Sequence, residues 1–223
     1  MAQIITRLFG GFEISNASGV ELKPSTRKTL GLLAFLILEP GRWHSRDRLS
    51  GLLWSDRQQS HARHSLTQAV STIRKLGDEV GVNLIETERE RVRLLGDGVS
   101  ADTTLFRENL EDSCVEAAQL YTGPLLDGVP ALDPVFDEWL LTQRAEFHEL
   151  VCTALERAID EAEVSGDLVS SVANAKRWVT LDPYAEPAHR RFIGLLAASG
   201  DRPEAIRHYQ VCAKLLMDEL GIE

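Results

Sequence analysis

The sequence predicts a mainly α-helical protein with a small β component, the strands confined to its first half. Three observations predict it. Alternating β-branched and aromatic residues, the mark of half-buried strands, occur before residue 104 and not after it. The pair Gly166-Asp167 returns as Gly200-Asp201, 34 residues on, each time ahead of an amphipathic pattern. The charge divides too. Residues 1–100 carry 14 Lys and Arg against 11 Asp and Glu, a net of +3, whereas residues 101–223 carry 10 against 23, a net of −13. A chain of 223 residues has room for two ordinary domains, so a split near residue 100 is expected, with different partners for the two halves.

The first half reads element by element. "IITRLFGGFEIS" alternates around Gly10-Gly11 and predicts two short strands or one bulged strand. "NASG" is a turn, and "VELK" is read as a further strand. Pro24-Ser25-Thr26 opens a helix, "KTLGLLAFLILE", apolar on nearly every side and therefore central to its domain; Pro40-Gly41 stops it. "HSRDRLSGLLW" starts a second helix with Ser45 as its N-cap and Leu49, Leu52 and Leu53 as its buried side.

The third helix is expected over residues 60–77. Ala62, Leu66, Ala69, Val70 and Ile73 fall on one arc, which must pack inward. The opposite arc carries His61, His64, Gln68, Ser71 and Lys75, flanked by Arg63, Thr67, Thr72 and Arg74. No acid occurs between Asp56 and Asp78, although the chain as a whole is acidic. A carboxylate on a helix laid in a DNA major groove would face phosphates, whereas Gln, Ser, Thr, His and Lys can donate to base edges and phosphate oxygens. A plain solvated helix remains the alternative reading of this composition. A hairpin over residues 84–95 follows, with Glu88-Arg89-Glu90-Arg91 near its tip. Three helices and then a two-stranded hairpin is the order of a winged helix-turn-helix, in which the third helix reads the major groove and the wing reaches the backbone. Arg89, Arg91 and Arg93 would be the wing's phosphate contacts; mutual Glu–Arg pairing in a solvated hairpin is the competing reading.

The second half reads as helices: "LFRENLEDSCVEAAQLY", a Gly/Pro-rich connection "TGPLLDGVPALDP", a long stretch from Val135, and the 34-residue unit. Ala173, Ala175 and Val179 are expected on one apolar stripe, Ala188, Phe192, Leu195 and Leu196 on the next, and Ala205, Ile206, Tyr209 and Leu215 on the last. A 34-residue helix–turn–helix period is that of the tetratricopeptide repeat, whose stacks offer concave surfaces to other proteins.

Several segments together, "RLFGGFEIS", "TLGLLAFLILEPGRWHSRDRLSGLLWSD", "ARHSLTQAVSTIRKLGD", "VRLLGDGVSADTTLF", "YTGPLLDG", "FDEWLLTQRAEF" and "AKLLMDELGIE", resemble the Streptomyces antibiotic regulatory protein type of bacterial activator. The resemblance implies an OmpR-like winged-helix DNA-binding domain at residues 1–99 and a tetratricopeptide-like bacterial transcriptional activator domain at residues 100–223. It implies binding to double-stranded promoter DNA, as a homodimer or cooperatively on direct repeats, and activation through RNA polymerase. Arg63, Ser65, Gln68, Ser71, Arg74 and Lys75 match the family's recognition-helix pattern, and residues 55–60 match the loop that in related winged helices can face polymerase. Where this chain has Thr67 and Thr72 the family commonly has arginine, and its wing is usually less acidic than "ETERER". The family also occurs as the front end of larger signalling proteins.

Other classes fit less well. There is no glycine-rich phosphate loop, no H-E-x-x-H and no G-x-S-x-G, so no enzyme and no cofactor are expected. Cys114, Cys152 and Cys212 lack C-x-x-C spacing and are expected to be small buried hydrophobes, with no metal framework. Residues 30–38, the most apolar stretch, fall far short of the roughly 20 residues a membrane span requires. The N-terminus lacks the pattern of a signal peptide, so a cytoplasmic location without membrane contact is expected. The runner-up is an interaction or sensory module whose winged helix no longer binds DNA.

Overall fold

The computed structural model describes residues 4–220, mainly helical with short strands. The chain forms two compact units, one of Met1–Glu108 with Leu120–Glu146, the other of Asn109–Gln119 with Phe147–Glu223. The cut is not a single point in the sequence, because residues 120–146 return to the first unit.

In the first unit, β1 (Ile4–Arg7) pairs antiparallel with β2 (Glu13–Asn16), so the Gly10-Gly11 interruption separates two strands. Gly10 turns with φ 72° and lies so close to Gly123 that a Cβ on Gly123 would sit 3.1 Å from the Gly10 Cα. Only a residue without a side chain suits that turn. The expected strand "VELK" is reduced to a single bridge, Ser15 to Glu21. Leu22 is the buried residue there, and Pro24 soon ends any ladder.

Helix α1 (Arg27–Leu38) is capped by Thr26, whose Oγ1 accepts from the Thr29 amide at 3.1 Å. Its residues from Leu32 to Leu38 are all buried, as an all-round apolar helix must be. β3 (His44–Ser45) precedes α2 (Arg46–Leu53), and Ser45 caps α2 by accepting from the Arg48 amide at 3.2 Å. α3 (Gln59–Asp78) buries Ala62, Leu66, Ala69, Val70 and Ile73, the arc its register predicts, and packs on α1 and α2. The hairpin of β4 (Ile85–Thr87) and β5 (Arg91–Leu94) follows, and β3 adds to β5 as a third strand. That two-residue strand, masked in the sequence by the helix start it abuts, ties α2 to the wing. β6 (Val99–Ala101) likewise pairs in parallel with β1 and closes the N-terminal sheet.

At the start of α4 (Asp102–Asp112), the Asp102 carboxylate accepts from the amides of Leu8, Phe9 and Thr103. One side chain thus pins the β1 exit to the first residue of the helix. The segment read as one amphipathic helix is two, α4 and α5 (Cys114–Leu120), broken at Ser113. The Gly/Pro-rich connection folds onto the first unit. Leu126 donates to the Leu8 carbonyl at 2.8 Å, and Arg144 donates to the carbonyls of Leu125 and Leu126.

The long stretch from Val135 is one unbroken helix of 32 residues, α6 (Pro134–Ser165). Its residues from Phe147 onward belong to the second unit, where Ala154 and Ala158 pack with Cys114 and Leu110. α7 (Leu168–Leu181), α8 (Glu186–Ala198) and α9 (Arg202–Leu220) complete that unit, each packed on the next. Asp167 and Asp201, the repeated acids, each sit before a helix and accept from an amide three residues on. The middle stripe is buried as expected. The outer two are rotated: α7 buries Ser171, Ala175 and Trp178 while Ala173 is exposed, and α9 buries Ala205 and Cys212 while Ile206 and Tyr209 are about three-fifths exposed. The cause on α9 is His208, which stacks on the buried His189 at 5.0 Å between ring centroids and meets Phe192 edge-on. An imidazole occupies the inward line and turns its apolar neighbours outward. Among the described residues, no helix is long and apolar enough to cross a membrane.

Candidate nucleic-acid interface

The exposed arc of α3 begins as a list of side chains with no acid among them. The fold decides which of them keep their donors. His64, Thr67, Gln68, Ser71, Arg74 and Lys75 are exposed, and Thr72 is half-buried. Thr67 and Thr72 turn their hydroxyls back onto the carbonyls of Arg63 and Gln68, at 2.9 and 3.1 Å. Such back-bonding satisfies the hydroxyl hydrogen within the helix and leaves oxygen lone pairs and a methyl group outward. Gln68 Nε2 and His64 Nε2 lie 3.1 Å apart, one turn from each other. Lys75 and Arg89 make no ion pair among the described residues.

Arg63 is placed differently. Its guanidinium grips Asp47 of α2 with two hydrogen bonds, of 2.8 and 2.9 Å, and Glu90 of the wing tip lies 3.8 Å away. That fork-to-carboxylate pairing lowers the Asp47 pKa. The N-terminal end of the arc is therefore supplied with carboxylates from elsewhere in the fold, which the helix's own sequence does not reveal. Farther along, Arg74 Nη2 donates to Thr87 Oγ1 at 3.1 Å, bracing the helix against β4.

The wing is set by its register. Glu86 stands opposite Arg93 across the β4–β5 pair, and their side chains meet at 2.5 Å. Arg91 is held by Glu88 across the turn, with hydrogen bonds of 3.0 and 2.5 Å. The guanidiniums of Arg91 and Arg93 also lie over Trp43, 5.2 and 4.5 Å respectively from its ring centroid, a cation–π arrangement that orders them. Trp43 belongs to this arrangement, although no charge pattern marks it.

The loop from α2 to α3 has an anchor that sequence reading missed. Asp133 is buried, and its carboxylate accepts from the Ser55 amide at 3.0 Å and the Ser55 hydroxyl at 2.8 Å. Lys28 Nζ lies 3.5 Å from Asp133 and 3.6 Å from Asp56. Burial alone would raise the Asp133 pKa; the Ser55 hydrogen bonds and the Lys28 charge outweigh it and hold it below the usual value. Beside this loop an open cleft of about 640 Å³ is lined by Lys28, Trp54, Arg57, Ser65, Gln68 and Thr72, among others. Arg57 bonds Ser65 there at 2.9 Å.

Comparisons with known proteins agree with this architecture. The family model described as bacterial transcriptional activator domain matches residues 99–223. That described as transcriptional regulatory protein, C terminal, matches residues 20–91. The chain is 26% identical over 219 residues to the regulatory protein AfsR of Streptomyces coelicolor, covering 92% of this chain and 21% of that protein. A solved structure of Mycobacterium tuberculosis EmbR in complex with a low-affinity phosphopeptide superposes with a TM-score of 0.76 at 20% identity, covering 100% of this chain and 62% of that one. The chain thus spans about a fifth of the length of AfsR, and the likeness to EmbR is one of fold.

Proposed function

The chain belongs to the bacterial transcriptional activator domain family of transcriptional regulators, of the Streptomyces antibiotic regulatory protein type, and we propose that it binds promoter DNA and activates transcription from it. The observation that carries the proposal is the exposed face of Gln68, Ser71 and Lys75, a run of donors on a helix with no carboxylate before its last residue, Asp78. In this reading α3 lies in the major groove, with His64, Thr67, Gln68, Ser71 and Thr72 toward base edges and Arg74 and Lys75 toward phosphates; Arg63, held by Asp47, reaches a phosphate only when that pair opens. Arg89 and Arg91 of the wing reach the adjacent backbone. Residues 1–99 act as the DNA-binding domain and residues 100–223 as the activator domain. The latter serves dimerisation, or cooperative occupancy of direct repeats, and contacts to RNA polymerase or an effector, in the cytoplasm. Its net charge of −13 fits a partner other than DNA.

The test is equilibrium binding of the purified chain to its own upstream DNA, followed by anisotropy at rising salt. A DNA-binding protein loses affinity with a log–log slope of about −0.9 per phosphate contacted, and a specific one keeps a preference over scrambled duplex. One observation favours a second reading, a protein-interaction module: the wing's glutamates neutralise Arg91 and Arg93. Absence of salt-dependent DNA binding would establish that reading instead.

A further inference from the structure

We propose that His148, Cys152 and Asp182 form a binding site for one zinc-class divalent ion in the helical unit. His148 and Cys152 are four residues apart on α6, so they share a face one turn from each other. Asp182, the residue that ends α7, brings a carboxylate to the same place. The three ligand atoms all lie within 4.8 Å of one another, with His148 Nε2 3.7 Å from Asp182 Oδ2 and 3.8 Å from Cys152 Sγ. A tetrahedral zinc with nitrogen or oxygen at about 2.0–2.1 Å and sulfur at about 2.3 Å requires ligand atoms about 3.3–3.6 Å apart. Two of the three edges are therefore within a few tenths of an ångström of the coordinated geometry.

The chemistry of the donors agrees. Imidazole, thiolate and carboxylate are the ligand types zinc takes together. At 3.7 Å the imidazole and the carboxylate are beyond hydrogen-bond reach, so the pair gains little directly and an ion between them would gain from both. The other oxygen, Asp182 Oδ1, accepts from the Tyr184 amide at 3.3 Å, which orients the carboxylate. The Trp178 indole favours the ionised form of the Cys152 thiol, as an outer partner of a bound thiolate would. Without a cation the thiol is pushed up to about 11, first by burial and then by the charge of Asp182. Binding breaks the Sγ–H bond, releases that proton to water and forms a metal–sulfur bond. Neutral His148 and ionised Asp182 each donate a lone pair, and the fourth position is left to water. Cys152 differs in this from Cys114 and Cys212, which are buried and belong to no such set among the described residues. The sequence marks all three cysteines alike as hydrophobes because Asp182 is 30 residues from the thiol along the chain and reaches it only through the fold.

The purified full chain, stripped with a chelator, is titrated with Zn²⁺ against a chromophoric chelator and, separately, with Co²⁺. The expected result is one equivalent bound, with a thiolate-to-cobalt charge-transfer band and tetrahedral d–d bands. Cys152→Ser should abolish the charge-transfer band and weaken zinc binding by at least about tenfold, since even outer partners are worth 10- to 100-fold. His148→Gln and Asp182→Asn, at half-exposed positions, should each weaken it as well, with helicity checked by circular dichroism. Zinc should raise the melting temperature of the wild type and not of the variants. Binding of no ion, or binding that is undiminished in all three folded variants, overturns the site.

Discussion

Helix α3 and the wing both carry arginines on their surfaces, and the fold treats the cations of the two in opposite ways. On α3, Lys75 is exposed and makes no ion pair among the described residues, and the only partner of Arg74 given by the fold is a threonine hydroxyl. In the wing, Arg93 and Arg91 are each held by a glutamate and lie over Trp43. The difference comes from period. An α-helix sets residue i beside i+3 and i+4; the one acid of this helix is its last residue, Asp78, which makes no ion pair with Arg74 or Lys75 among the described residues. A hairpin sets residues opposite each other by register, and "ETERERVR" places Glu86 across from Arg93. Positive charge on a surface is therefore not a measure of phosphate-binding capacity; what counts is the charge left after the fold has made its own pairs. Arg63 makes the point from the helix side, since it is claimed by Asp47.

The largest perturbation removes the scaffold beneath this comparison. Leu66 is fully buried on the inward arc of α3. Leu66→Ala should cost about 2–5 kcal/mol of stability by leaving a cavity, read by denaturant unfolding. It should disorder helix face and wing together, because β4 is braced to α3 through Arg74. A variant that kept full stability would mean that α3 is not held by this arc.

Next in size are the exposed donors themselves. Gln68→Ala should lower the preference for specific over scrambled duplex by about 1–3 kcal/mol. Lys75→Ala should weaken binding to both and make the salt slope shallower by about 0.9, one phosphate contact. Neither should change the unfolding midpoint, since both side chains are exposed. If Arg93→Ala outweighed Lys75→Ala in the salt slope, the contrast between helix and wing would be reversed.

A smaller effect concerns the sheet that carries the wing. His44 in β3 is buried, with both ring nitrogens lacking a hydrogen bond, and it meets Phe35 edge-on. Burial holds its pKa below the ordinary 6.5, and the Arg48 and Arg42 charges add to this against the opposing charge of Glu39. A group whose folded pKa is lowered takes up its proton more readily in the unfolded chain. The stability it contributes is complete above pH 6.5 and is lost as pH falls from there through the folded value. Unfolding followed as a function of pH should show this uptake of at most one proton, and His44→Phe should flatten it. An unchanged pH profile in that variant would assign the acid sensitivity to other groups.

Much of this was legible in the sequence, and the reason differs by element. α1, α2 and α3 were readable because their apolar periods are helical and their caps, Thr26 and Ser45, are local. The hairpin was readable from its turn and alternation. β3 and β6 were not, because strands of two and three residues are defined by partners 46 to 48 and 95 positions away, not by their own composition. The inward line of α9 was misread because a stacked histidine pair takes the place that hydropathy reserves for Ile206 and Tyr209. At the interface, the residues of the arc could be named, but the capture of Arg63 by Asp47 and the anchoring of Ser55 by Asp133 span 16 and 78 positions. Side-chain pairs at such separations carry no periodic signal, so sequence gives the stock of donors and the fold decides which remain available.

The finest test acts on that availability alone. Asp47→Asn removes the carboxylate that holds Arg63, and Glu88→Gln removes the one that holds Arg91. Both sites are on the surface, where a single ion pair contributes little to stability, so unfolding should be nearly unaffected. DNA binding should respond unequally. If α3 enters the groove as proposed, a freed Arg63 lies beside the duplex, and Asp47→Asn should steepen the salt slope by up to about 0.9, one added phosphate contact. A freed Arg91 still lies over the Trp43 ring, and that cation–π contact continues to hold it. Glu88→Gln should therefore steepen the slope by less than Asp47→Asn does. Equal steepening by the two would show that helix and wing differ only in how many carboxylates surround them, and not in how they face the duplex.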